Sequence, residues 1–346
     1  METADTSWSA RDDHSFMPEN IMTETTKQVP SLGELLKGFP KNWGRWGADD
    51  EVGALNYLGP QNVLEAVALI RSGKVFTLQV PMADPKGDPI WPGDRSKPVR
   101  VNVIDKGHFL SGKMAGAPGG IEGCDDMIHC YLQGSTQYDA LGHAWYGDQI
   151  YNGYDARTTI GGMTRASILP IAEKGIVGRA VLIDIARARG KASLDRGETF
   201  THHDLLAAAQ SQGVEIRKRD ILIIRTGWIG LFFRDPQAFY GHGQGWLEPG
   251  LTLSRELVDW FHEREIPNLV TDTMANEVTV DPASGAVLPL HIALMSYLGV
   301  TFTEIASLDQ LAEDCAQDGR YEFFYAAAPL KVVQAAGSPV NPIVIK

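Results

Sequence analysis

Cysteine is scarce in this chain: only Cys124, Cys130 and Cys315 occur in 346 residues. A small, odd number builds no disulfide framework and fits a reducing compartment. Basic residues are outnumbered, 31 Lys and Arg against 43 Asp and Glu, and the formal charge is −12. That balance argues against nucleic acid and anionic membrane as partners. No apolar run approaches the roughly 18–20 residues of a membrane-spanning helix. The first twenty residues are polar and acidic without an apolar core, so no secretory signal is read there. The expectation is a cytoplasmic protein acting on a small molecule. Repeats, low-complexity blocks and a convincing linker are also lacking. With 44% hydrophobic residues, the chain can bury one large core. One domain over 31–346 is expected, preceded by an arm over 1–30 that is flexible or exchanged with a neighbour.

Several familiar motifs are broken. Gly107-His-Phe-Leu-Ser-Gly112-Lys113 fits a phosphate-binding loop, but Met114 stands where Ser or Thr would hold magnesium. Gly241-His-Gly243-Gln-Gly245-Trp246 has Trp at the third glycine of a dinucleotide fingerprint and follows no strand. His262-Glu263-Arg-Glu-Ile266 lacks the second His of a zincin helix. No Gly-x-Ser-x-Gly offers a serine nucleophile. Cys124, His129 and Cys130 match no common zinc knuckle, so these thiols read as incidental. His202 and His203 read as solvated or capping residues at a helix start.

The pattern of elements is mixed. Strands are expected at Val75–Val80 and Val99–Ile104, with a Pro- and Gly-rich loop over 84–94 between them. Pro60 opens an apolar-periodic helix ended by Gly73, and a short helix is expected around Ala166–Lys174. Arg179–Ile185 and Ile221–Arg225 are β-branched runs that read as buried strands. Thr201 with Asp204 forms a capping box, and Ser254 caps a helix through Phe261. Leu269 and Val270 are strand-like, and a helix over Leu290–Leu298 leads to a strand ending near Glu304. A short helix begins at Asp309, and Tyr321–Val333 supplies the last strand. Strands alternate with helices only in the second half, which implies α/β architecture with a mixed sheet or partial barrel.

The densest chemistry lies in His129-Cys-Tyr-Leu-Gln133-Gly-Ser-Thr-Gln137-Tyr-Asp139-Ala-Leu-Gly-His143. If Gly134–Thr136 runs extended, Gln133, Gln137 and Asp139 share one face, and His143 follows a short turn. His291 precedes an apolar helix, and Glu304 follows a strand thirteen residues later. A helix and a returning strand can bring both to Asp139 and His143, a carboxylate–imidazole set suited to Zn²⁺ or Mn²⁺.

These ordered motifs resemble the cyclase family, which contains bacterial kynurenine formamidases, isatin hydrolase and trans-dienelactone hydrolase. The family signature is His-x-Gly-Thr-His-x-Asp-x-Pro-x-His, and Gln137-Tyr-Asp139-Ala-Leu-Gly-His143 looks like the variant of its longer members. The resemblance continues through Tyr151-Asn-Gly153, Gly178–Asp184, Arg225-Thr-Gly-Trp228, Glu248-Pro-Gly-Leu251, Asp272, Asn276-Glu277, Pro289-Leu-His291, Glu304 with Leu308, and Ala328-Pro-Leu330. It ends at Gly337-Ser-Pro339 and so covers almost everything from about residue 40 onward.

The resemblance implies a swivelling β/α/β-like fold and a metal-dependent hydrolase of a small amide, formamide or lactone. By position, Gln133, Gln137 and Asp139 fall on first-strand metal ligands and His143 on the catalytic histidine. His291 and Glu304 fall on the C-terminal ligands, and Glu304 can also assist as a base. Gln133 and Gln137 replace imidazoles of shorter members, and Leu141 replaces the proline after the Asp. Trp91, Tyr138 and Trp145, with Tyr146 and the Trp43–Trp46 loop, are expected as an apolar substrate wall. Alternatives are a metal-poor cyclase, dehydratase or isomerase, or a non-catalytic binder. A homodimer or homotetramer is also implied.

Overall fold

The computed structural model describes residues 29–91, 95–243 and 245–346. The expected arm up to position 28, and positions 92–94 of the loop, lie outside them. In chain order the strands are β1 (Val75–Thr77), β2 (Val99–Ile104), β3 (Asp125–His129), β4 (Gln137–Asp139), β5 (Ile176–Asp184) and β6 (Thr199–Phe200). They continue as β7 (Ile221–Arg225), β8 (Gly250–Leu251), β9 (Asn268–Thr271), β10 (Thr301–Glu304), β11 (Glu322–Ala327), β12 (Gly337–Pro339) and β13 (Ile343–Ile345). Nine of them form one sheet in the order β1-β13-β11-β5-β7-β9-β10-β4-β12. This curled half-barrel is the mixed sheet expected from the sequence.

Its centre is parallel: β5, β7, β9 and β10 run the same way. The helices His202–Gln212 and Arg255–Glu263, and the helical segment His291–Tyr297, lie in the connections between them. Strands covered on both faces need continuous apolar runs, and every residue of β7 and β9 is buried. The outer strands pair antiparallel, with β4 and β12 beyond β10. Both caps form as the sequence implies. Asp204 accepts the Thr201 amide at 2.8 Å, and Ser254 accepts the Leu257 amide at 3.0 Å.

Four expectations change. The stretch before Gln137 is a turn, closed by Gly134 N–H to Tyr131 O at 3.1 Å, so β4 begins only at Gln137. Thr136 explains why: its hydroxyl accepts from Val80 N at 2.8 Å and donates to Ile305 O at 2.6 Å. Such side chains satisfy neighbouring backbone in place of a ladder. The helix at Pro60 ends at Val67, because only its Ala66 is buried and Leu64 is 65% exposed. His202 is buried, its ring stacked on Trp260 with centroids 6.0 Å apart, and is not solvated. Finally, β12 and β13 lie beyond the last expected strand. Gly337 and Pro339 read as loop residues, but an edge strand tolerates proline.

Candidate metal and catalytic site

β4 alternates, so Gln137 and Asp139 face one side of the sheet and Tyr138 the other. Glu304 ends β10 directly opposite Gln137, which puts the two side chains on a shared face. The Gln137 amide donates to Glu304 Oε2 at 2.7 Å, and Asn276 donates to Glu304 Oε1 at 3.2 Å. On the other edge Gly337 pairs with Asp139. A Cβ there would lie 2.7 Å from Gln133 Nε2, so the Gln133 amide fills the space that a side chain would take. Gln133 therefore reaches the site face from a turn and not along the strand.

His291 opens a π-helix, a winding that recurs at functional sites. Glu277 clamps that start. It accepts the backbone N–H groups of Leu290 and His291 at 2.7 and 2.8 Å, and its Oε1 lies 2.6 Å from His291 Nδ1. The ring meets Phe302 edge-on at 5.1 Å and directs Nε2 toward Glu304 Oε1, 3.6 Å away. Burial works against the imidazolium here, but the hydrogen bond to Glu277 and the nearby Glu304 carboxylate outweigh it and hold the pKa up at about 10.

Asp139 is fully buried, and neither carboxylate oxygen has a hydrogen-bond partner. Burial pushes its pKa up to about 6. Gln137 Oε1 and Asn276 Oδ1 are likewise buried and unpartnered. All four orphaned atoms are acceptors, and buried acceptors without donors are costly unless a cation satisfies them. Ligand atoms of Asp139, His291 and Glu304 lie within 4.8 Å of one another, the one such group among the described residues. An imidazole nitrogen braced by a carboxylate, with two carboxylates beside it, suits a divalent metal ion. The residues fit the group that the sequence implies.

His143 Nε2 lies 3.9 Å from Asp139 Oδ1, and its side chain keeps 19% of its exposure. Burial lowers its pKa below the ordinary 6.5, so the ring is neutral at pH 7. It faces a cavity of about 400 Å³ whose floor includes His291 and Glu304 and whose walls include Trp91, Trp145, Met274 and Leu288. Trp91 and Trp145, expected as part of a substrate wall, line this cavity. Tyr138 is not: it is buried on the opposite face, bonded to Asn268 at 2.9 Å and Tyr325 at 2.8 Å. Trp43 bonds Ser296 O at 2.7 Å and Trp46 packs on Tyr57, and neither lines the cavity. Tyr146 sits against Gly33 and also lies outside its lining.

The sequence reading gave no role to three residues. Glu277 and Asn276 were visible as an Asn-Glu pair, but nothing in the pair told which ligands they brace. Arg95, on the cavity wall, carried no signal at all.

The sequence matches the cyclase family over residues 76–278. A crystal structure described as a novel cyclase is 38% identical, with a TM-score of 0.80 over 92% of this chain and 100% of that one. Isatin hydrolase A from Labrenzia aggregata, bound to benzyl benzoate, is 20% identical with a TM-score of 0.57, covering 78% of this chain and 93% of that one. Isatin hydrolase A from Ralstonia solanacearum is 21% identical with a TM-score of 0.56, covering 82% and 96%. These two share the fold. No match was found among curated proteins. Over this fold and this set of side chains, the chain belongs to the cyclase family.

Proposed function

We propose that this chain is a metal-dependent hydrolase of a carbon–nitrogen or ester bond in a small cyclic or aromatic amide, formamide or lactone. The carrying observation is the convergence of Asp139, His291 and Glu304 within 4.8 Å, with both Asp139 oxygens unpartnered and His143 beside them. The fold shared with isatin hydrolases supports the reaction class.

Asp139, His291 and Glu304 would hold a divalent ion, Zn²⁺ or Mn²⁺, which supplies carbonyl polarisation and a water of lowered pKa. Neutral His143 takes the proton from the attacking water and returns it to the leaving amine or alkoxide. Gln137 and Asn276 fix the Glu304 carboxylate, and Glu277 fixes the His291 ring. In this reading Gln137 positions a ligand, while Gln133 packs against Gly337 of the neighbouring strand. Trp91 and Trp145 seat a flat ring and keep bulk water away.

Metal analysis of the purified protein, joined to a panel of formamides, cyclic amides and lactones, tests this. Stoichiometric zinc or manganese with turnover supports it. Activity in a metal-free protein would favour acid–base cyclisation, dehydration or isomerisation, the reading that the glutamines at 133 and 137 keep open.

We also propose self-association as a homodimer or homotetramer. Support comes from the β2–β3 hairpin, one face of which carries Val99, Val101, Val103 and Met127, 43–54% exposed. A two-stranded sheet without a core is marginal in water, and an apolar face of this kind marks an interface. Light scattering that finds a monomer at micromolar concentration sinks the idea. No helix among the described residues is long and apolar enough to cross a membrane.

A further inference from the structure

Among the described residues, the cavity has one polar wall residue that the proposed hydrolysis does not use. Among the described residues lining it, Arg95 is the only Lys or Arg. One guanidinium N–H donates to Gln133 O at 2.6 Å, and the group lies 5.8 Å from the Trp91 ring centre. No carboxylate among the described residues pairs with it. Other buried or half-buried arginines are treated differently: Arg179 meets Asp220 and Glu322, Arg189 meets Glu198 and Asp204, and Arg225 meets Asp184 and Asp309. Arg95 lines the same cavity as His143, His291 and Glu304.

We infer that Arg95 forms a carboxylate-binding subsite on the cavity wall, so that the chain takes ligands with an apolar, ring-sized body and one carboxylate. One N–H is spent on Gln133 O, which locks the guanidinium plane. The remaining N–H groups keep the fork that matches a carboxylate's two oxygens. Trp91 beneath the guanidinium and Trp145 across the cavity supply the apolar seat. The carboxylate has two chemical sources. It can be a group that the substrate carries throughout, or the one released when an amide or lactone is cleaved. The substrate class named here rests on the hydrolase reading, but the binding subsite does not.

Calorimetric titration of the metal-loaded protein with benzoate and with benzamide, its neutral isostere, tests the subsite without turnover. Wild type should prefer benzoate by about 10- to 100-fold, the worth of a charge-assisted pair. Arg95→Gln keeps a donor for Gln133 O but loses the charge, so the preference should vanish with benzamide affinity unchanged. Arg95→Lys should restore part of it. Equal binding of the two probes by wild type, or an undiminished preference in Arg95→Gln, overturns the proposal.

Kinetics then separate the sources. A raised KM in Arg95→Gln, seen only for substrates bearing a carboxylate, assigns it to the substrate. Unchanged KM with relieved inhibition by product assigns it to the released acid. Arg95-dependent benzoate binding in a protein that proves to hold no metal and hydrolyse nothing would leave the subsite standing and remove the hydrolase reading.

Discussion

Two buried groups of charge sit along the sheet, and they treat their carboxylates in opposite ways. Arg225, at the end of β7, donates to Asp184 and Asp309 at 3.0 and 2.8 Å. Nearby Asp272 accepts Thr226 N at 2.8 Å, the Thr226 hydroxyl at 2.7 Å and Gly227 N at 2.7 Å. There the buried carboxylates are answered by donors, as a structural network requires. Asp139, on β4, is just as buried and has no donor at either oxygen. Folding tolerates that cost where something else gains from it. The contrast separates charge that holds the sheet together from charge held ready for a cation.

The largest expected effect is on chemistry. His143→Ala should lower kcat/KM by about 10²- to 10⁴-fold, the usual worth of a general base, with metal content unchanged. Because burial holds the His143 pKa below 6.5, wild-type activity should rise with pH along a limb that lies below that value. Near-wild-type hydrolysis by the variant removes His143 from the mechanism.

The structural cluster should fail in a different way. Arg225→Ala takes the closer of two cations from buried Asp184 and leaves it the Arg187 backbone N–H at 2.9 Å and the Arg187 guanidinium at 3.4 Å, so about 3 kcal/mol of stability should be lost in urea unfolding. Metal affinity per folded molecule should not move. A variant that keeps its stability but loses metal would place Arg225 in the site and erase the distinction.

Much of this contrast was legible in the residues. The β-branched runs announced β5 and β7, and the Thr201–Asp204 box announced its helix, because these depend on neighbours in sequence. Asp139, His143, His291 and Glu304 were legible because so few residue types hold metals or move protons. What stayed hidden depends on register and on distant turns. Tyr138 looked like a site residue because it adjoins two of them, but alternation sends it through the sheet to Asn268. β12 hid behind Gly337 and Pro339, although that glycine leaves the space that the Gln133 amide fills. Glu277 meets His291 across fourteen residues, and Arg95 meets Gln133 across thirty-eight. No local pattern encodes such contacts.

A smaller effect sharpens the site half of the comparison. Glu277→Gln keeps the shape but weakens the brace on His291 Nδ1 and on two backbone amides. Metal affinity should fall by about 10- to 100-fold, as for other bracing partners of a ligating histidine. Competition with a chelator measures it, and an unchanged dissociation constant would make Glu277 a helix clamp alone.

The finest test compares two substitutions of the same kind. Asp139 carries a folded-state pKa raised from 3.8 to about 6 by burial, so the folded chain binds its proton more tightly than the unfolded chain does. The stability that Asp139 contributes is therefore present below about pH 4 and is lost as pH rises through about 6. In metal-free protein at pH 8, Asp139→Asn should match or exceed wild type by on the order of 2 kcal/mol, and the two should converge near pH 4. Burial raises the Asp272 pKa to about 6 as well, but three donors hold its carboxylate; Asp272→Asn turns one of the two oxygens they use into an NH2 group and should cost about 1–3 kcal/mol at pH 8. Urea unfolding of chelator-treated proteins at several pH values reads both. Opposite signs mean that Asp139 is kept for a cation at the expense of the empty fold. A shared destabilisation would mean that Asp139, like Asp272, is there to hold the sheet.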